Sequence, residues 1–90
     1  MNYYVYWAPS AHERLERLWM AAEDQATLLR AANAIDNYLA EDPYRINAAL
    51  VGEERTFIVE PLAVDYVVFD DERRVVILSV WFIGFLDQAN

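Results

Sequence analysis

Residues 64–83 read "VDYVVFDDERRVVILSVWFI", two apolar runs on either side of the charged segment Asp70-Asp71-Glu72-Arg73. Both runs are rich in β-branched and aromatic residues and bracket a short polar break, so they are expected to pair as a β-hairpin over 63–69 and 74–83. Side chains alternate between the faces of a strand. Val76, Leu78, Val80 and Phe82 then form one row, and Val75, Ile77, Ser79, Trp81 and Ile83 the other. The first row, with Val64, Tyr66 and Val68 of the partner strand, is assigned to the core. The opposite face carries Asp65, Val67, Phe69, Ile77, Ser79, Trp81 and Ile83, a mainly apolar surface with two polar residues set into it.

That second face matters because the chain is short. Its 90 residues make one domain, spanning 1–90, which buries only about 60–65% of its unfolded surface. One layer of helix on one sheet face is what such a chain supplies. Contiguous exposed apolar patches larger than a few hundred Å² are rare on monomers. Three occupants are open at this point. Residues 43–54 or the tail "GFLDQAN" fold over the face, another protein binds it with Trp81 and Phe69 as aromatic anchors, or a second copy packs sheet to sheet as a homodimer.

Working outward, "NYYVYW" at 2–7 reads as a strand stopped by Pro9. Ser10 and Glu13 have the spacing of a capping box, and Ala11, Leu15, Leu18, Trp19 and Ala22 follow at helical spacing. Asp24 is placed to cap a second helix with the stripe Leu28, Ala31, Ala32, Ile35 and Leu39. "EDP" at 41–43 ends that helix, because Pro43 disfavours helical backbone before it. Residues 43–54 are expected to be loop, and "RTFIVE" at 55–60 a strand closed by Pro61. The order is strand, helix, helix, strand, strand, strand: an α+β domain with a small, mostly antiparallel sheet and a two-helix hairpin on one face.

Composition narrows the chemistry. Fifteen Asp and Glu stand against seven arginines, with no lysine, giving a net charge of −8. Nucleic-acid binders neutralise phosphates with Lys and Arg, so the balance weighs against RNA or DNA as the main partner. The absence of cysteine removes disulfides, thiolate metal sites and a thiol nucleophile. No cofactor is expected, because there is neither a phosphate-cradling Gly-rich loop nor a cluster with metal-ligand spacing. The start "MNYYVYW" lacks the pattern of a signal peptide, and no apolar run reaches the length of a membrane span, so no membrane role and a cytoplasmic location are expected. His12, the single histidine, falls on a helix surface. Asp65 and Ser79 are expected to face each other on adjacent strands, and without a histidine beside them they make no hydrolase triad. Arg55 has acidic neighbours in Glu53, Glu54 and Glu60.

The order and spacing of "YYVYWAPSAHERLERLW", "AIDNYLAEDP" and "RTFIVEPLAVDYVVFDDERRVVILSV" resemble the RelE/ParE superfamily, the toxins of bacterial type II toxin–antitoxin (plasmid stabilisation) systems. The resemblance covers residues 3 to about 82, and Trp19 in "LERLW" is more similar to the ParE-type branch. It implies a cognate antitoxin protein that wraps the toxin and covers its sheet. RelE-type members are ribosome-dependent mRNA endonucleases with a basic residue early in the third strand and Arg, Tyr or His at the end of the last one. The matching positions here are Ala63, Trp81, Phe82 and Ile83, none of which transfers a proton or neutralises a phosphate. Arg55 alone matches a basic position and is the single catalytic candidate. ParE-type members inhibit DNA gyrase by protein–protein contact, which needs no catalytic group, although their basic C-terminal segment is absent from "FIGFLDQAN". The resemblance therefore implies a toxin acting by contact, with gyrase as the candidate target, or a catalytically degenerate one. A RelE-type nuclease working on ribosome and mRNA is the alternative, and a sheet-to-sheet homodimer the second alternative.

Overall fold

The computed structural model describes residues 2–44, 49–51 and 53–84. Its elements are β1 (Tyr4–Trp7), α1 (Pro9–Ala21), α2 (Gln25–Glu41), β2 (Ala49–Val51), β3 (Glu54–Val59), β4 (Leu62–Phe69) and β5 (Arg74–Phe82). A 3-10 turn, Asp70–Glu72, joins the last two strands. The strands form one five-stranded sheet in the order β1-β5-β4-β3-β2. β1 runs parallel to β5, and every other pair is antiparallel. The α+β order expected from the sequence is present. The fifth strand, β2, is an addition: three residues of the expected loop pair with β3, Ala49 opposite Thr56 and Val51 opposite Glu54. The rest of that loop, residues 45–48 and 52, and the tail from residue 85 lie outside the described residues.

Local chemistry explains the helix starts, and in one case differs from expectation. α1 begins at Pro9, with Ala8 in the cap position and no side-chain cap. Proline fits the first helical position because its φ is preset and its missing N–H would have no helical partner, so Ser10 lies inside the first turn and forms no capping box. The Ala8 amide instead donates to the Ile77 carbonyl at 2.9 Å, so the sheet holds the residue that opens the helix. At α2 the expected cap is present: Asp24 accepts from the Thr27 amide at 3.0 Å and from the Thr27 hydroxyl at 2.6 Å. The Thr27 hydroxyl is the main reason that the Asp24 carboxyl titrates below its usual range.

Leu28, Ala31, Ala32, Ile35 and Leu39 of α2, with Ala11 of α1, bury against Phe57, Leu62, Val64, Tyr66, Val75, Ile77 and Val80 of the sheet. The Tyr66 hydroxyl satisfies itself inside this layer by donating to the Pro43 carbonyl at 2.6 Å. At one end of the sheet Arg73 adopts the left-handed conformation, φ 51°, and its guanidinium lies over the Tyr3 ring at 4.9 Å. The Tyr3 hydroxyl donates to Asp70 at 2.6 Å, which raises the Tyr3 pKa and lowers that of Asp70. These contacts tie the first strand to the last hairpin.

The hairpin departs from regular alternation. Asp65 pairs with Ser79 but Tyr66 pairs with Ile77, so Leu78 is an extra residue, a β-bulge. A bulge reverses the inside–outside alternation of the strand across it. Val80, past the bulge, faces the helices as expected. Before it the parity is inverted: Val75 and Ile77, not Val76, are the buried residues, each 0% exposed. Phe82 shares the helix-side parity yet is 53% exposed, because it borders an apolar groove with Leu18, Ala22, Leu28 and Pro61 at the end where α1 turns into α2.

Candidate functional site

The core cluster takes one parity of β3 and β4, and in β5 a parity that switches at the bulge, which leaves the alternate residues on the far side of the sheet. Four rows cross that open face, each defined by strand register. Tyr4, Arg74 and Phe69 form the first, Tyr6, Val76 and Val67 the second. Ser79, Asp65 and Thr56 form the third, and Trp81, Ala63 and Ile58 the fourth. Tyr4, Tyr6, Ile58 and Phe69 are exposed, whereas Val67, Val76 and Trp81 are half-buried. Ala63 is only 1% exposed, a small side chain set between Ile58 and Trp81.

The polar row is fully interlocked. The Thr56 hydroxyl donates to one Asp65 carboxylate oxygen at 2.6 Å, and the Ser79 hydroxyl to the other at 3.3 Å. A half-buried carboxylate is thereby fixed at the centre of an apolar surface by hydroxyls from the strands on either side. Sequence reasoning found Asp65 and Ser79 and missed Thr56, although the alternation Thr56, Ile58 against Phe57, Val59 was there to place it.

The other expected residues separate. Asp65, Val67, Phe69, Ser79 and Trp81 share the open face. Ile77 does not: the bulge at Leu78 turns it into the core, where it is 0% exposed, and this corrects its assignment to a partner-binding surface. Ile83 follows the end of β5, half-buried, with its amide donating to the Pro61 carbonyl at 2.8 Å. Arg55 pairs in register with Tyr66, which puts it on the helix side of the sheet, with its guanidinium over the Tyr44 ring at 4.8 Å. The catalytic candidate and the Asp65 row are thus on opposite faces. His12 is exposed on α1, also on the helix side.

The remaining described arginines are all engaged. Arg14 donates to the Val80 carbonyl at 3.1 Å, Arg30 to the Thr27 hydroxyl at 3.0 Å, and Arg73 to the Tyr3 hydroxyl at 3.3 Å. Arg17 pairs with Glu13, and Arg74 with Glu72 at 2.7 Å. Only Arg74 lies on the open face, at its far end, stacked on Phe69. Among the described residues no group of acids and histidine is placed to hold a metal ion, and no helix is long and apolar enough to cross a membrane.

No family model matches the chain, and no curated relative does. Solved structures do. The RelBE2 toxin–antitoxin complex from Mycobacterium tuberculosis matches with a TM-score of 0.75 at 20% identity, over 91% of this chain and 92% of that one. The isolated RelE toxin of E. coli gives 0.68 at 13% identity, over 94% and 88%. The archaeal RelE–RelB complex from Pyrococcus horikoshii gives 0.64 at 16% identity, over 93% and 98%. At these identities the likeness is one of fold: the chain has the fold of the RelE toxins.

Proposed function

We propose that this chain is the toxin component of a type II toxin–antitoxin pair, held by a cognate antitoxin across the open face of its sheet and acting by protein–protein contact. The observation that carries the reading is the open face itself, an apolar surface on a domain whose helices cover only the other side. The fold supports it, since two of the matching structures, from M. tuberculosis and P. horikoshii, are toxin–antitoxin complexes.

The electrostatics favour contact over RNA cleavage. Cleaving a phosphodiester needs cations or N–H donors aimed at the charge that develops on phosphorus oxygens. The centre of the open face offers a carboxylate and two hydroxyls instead, and Arg74, at the far end of that face, is paired with Glu72. Arg55 sits on the opposite side against Tyr44, and the net charge of −8 repels a polyanion at long range. DNA gyrase is the candidate target, inherited from the ParE-like features of the sequence. A chain that keeps antitoxin binding but has lost its target fits the same surface.

The test is a pull-down of the tagged chain from its own host beside Trp81→Asp, with ribosome-plus-mRNA and gyrase supercoiling assays on the purified protein. The reading expects a small co-purifying protein that the variant loses, and intact mRNA. Ribosome-dependent cleavage abolished by Arg55→Ala would replace it with the nuclease alternative.

A further inference from the structure

We infer that the segment seated on the open face carries a basic side chain, arginine or lysine, between apolar residues, and that this side chain pairs with Asp65. The inference rests on the docking role proposed for that face and adds the chemistry of the occupant.

Asp65 occupies the middle of the surface, with the row Val67–Val76–Tyr6 on one side and Ile58–Ala63–Trp81 on the other. A partner that covers those apolar rows also covers the carboxylate. A buried charge is costly unless it is paired and hydrogen-bonded. The hydroxyls of Thr56 and Ser79 occupy one acceptor site on each oxygen. An ionised carboxylate has about four such sites, so half remain for incoming N–H donors, and the two hydroxyls hold the group in one orientation for them. They supply no charge. Among the described residues no cation neutralises Asp65. Arg74, on the same face, stands four residues away along the ladder, about 13 Å at strand spacing, and is already paired with Glu72.

Two of the other occupants fit poorly. A second copy packed face to face about a two-fold axis through the centre of the surface would set Asp65 against Asp65, between chains that each carry −8. Residues 85–90, "FLDQAN", contain Asp87 and no base. An acidic segment meets both the local carboxylate and the long-range field. A basic one is steered in by the field and neutralised at Asp65.

A displayed library of random peptides, panned at elevated salt to screen the general field, tests this on the wild type, Asp65→Asn, Asp65→Glu and Trp81→Asp, each first checked for a wild-type circular dichroism spectrum. Wild type and Asp65→Glu are expected to enrich peptides with Arg or Lys flanked by apolar residues. Asp65→Asn is expected to lose the basic enrichment, keep the apolar one, and bind the winning peptide about tenfold more weakly. Winners that are acidic or purely apolar, or a basic enrichment that survives in Asp65→Asn, overturn the inference while leaving the docking face intact. The same winners on Trp81→Asp, or no enrichment on the wild type, overturn the docking role and this inference together.

Discussion

The two faces of this sheet share a hairpin and much of their composition, yet only one of them is covered by the helices. The helix side buries Leu62, Val64, Tyr66, Val75, Ile77 and Val80 to within 1% of full burial, and the one polar group among these six side chains, the Tyr66 hydroxyl, donates to the Pro43 carbonyl. The far side holds Ile58, Val67, Phe69, Val76 and Trp81, no less apolar, but sets a hydroxyl-clamped carboxylate among them. Apolar content alone does not set the two faces apart. The difference lies in the polar group at the centre of each: in the buried layer it is a hydroxyl with its partner, and on the open face it is a carboxylate held by two hydroxyls. Substitutions are therefore expected to sort by face, stability on one and recognition on the other.

The sharpest way to break that division is at the bulge. Ile77→Ala is expected to cost roughly 2–5 kcal/mol, the usual range for removing a large buried aliphatic side chain, and Val76→Ala on the open face under about 1 kcal/mol. Urea denaturation of the two variants measures this. A larger loss for Val76→Ala would mean regular alternation and no bulge. Next in size is Tyr66→Phe, which leaves the buried Pro43 carbonyl without this donor and is expected to cost about 1–2 kcal/mol.

Asp36 tests the polar side of the comparison. Its carboxylate accepts from the Trp7 indole N–H at 2.7 Å, and burial pushes its pKa up despite that bond. A carboxyl whose pKa is higher in the folded state favours the protonated form. Its contribution is therefore fully present below the ordinary carboxylate range and is lost as pH rises through the folded value. Asp36→Asn keeps an acceptor without the charge, so its Tm is expected to match or exceed wild type at neutral pH, with the gap closing in acid. Asp36→Ala, which orphans the indole N–H, is expected to lower Tm at both. The smallest effect is expected at the exposed cap of α2. Asp24→Ala lowers Tm slightly at neutral pH, and the difference fades as pH falls through the depressed pKa of Asp24.

The sequence was legible wherever a period was unbroken. The stripe Leu28, Ala31, Ala32, Ile35, Leu39 and the cap at Asp24 are as read, and so are Asp65 opposite Ser79 and Trp81 on the open face. Ile77 was not legible, because "VVILSV" is apolar at five of six positions and its alternation carries no mark of an extra residue. Only pairing with β4 reveals that Leu78 is surplus. β2 escaped notice for a related reason: three residues show too little of a period to distinguish a strand from a loop, and their pairing comes from β3. Pro9 marks the strand stop, with β1 ending at Trp7, and its second role as the first residue of α1 moves the cap from Ser10 to Ala8. At the site, the arginines were the part beyond reach. Alternation in "RTFIVE" puts Arg55 on the face of Phe57 and Val59, but the sequence gave no sign that its guanidinium would stack on Tyr44.

The most direct test of the central claim is Trp81→Asp, read for both thermal midpoint and binding of the protein that co-purifies with the wild type. A partner surface predicts a Tm within a few degrees of wild type and at least about tenfold weaker binding. A collapsed Tm, or binding that survives the substitution, would show that this face is covered from within or that the partner sits elsewhere.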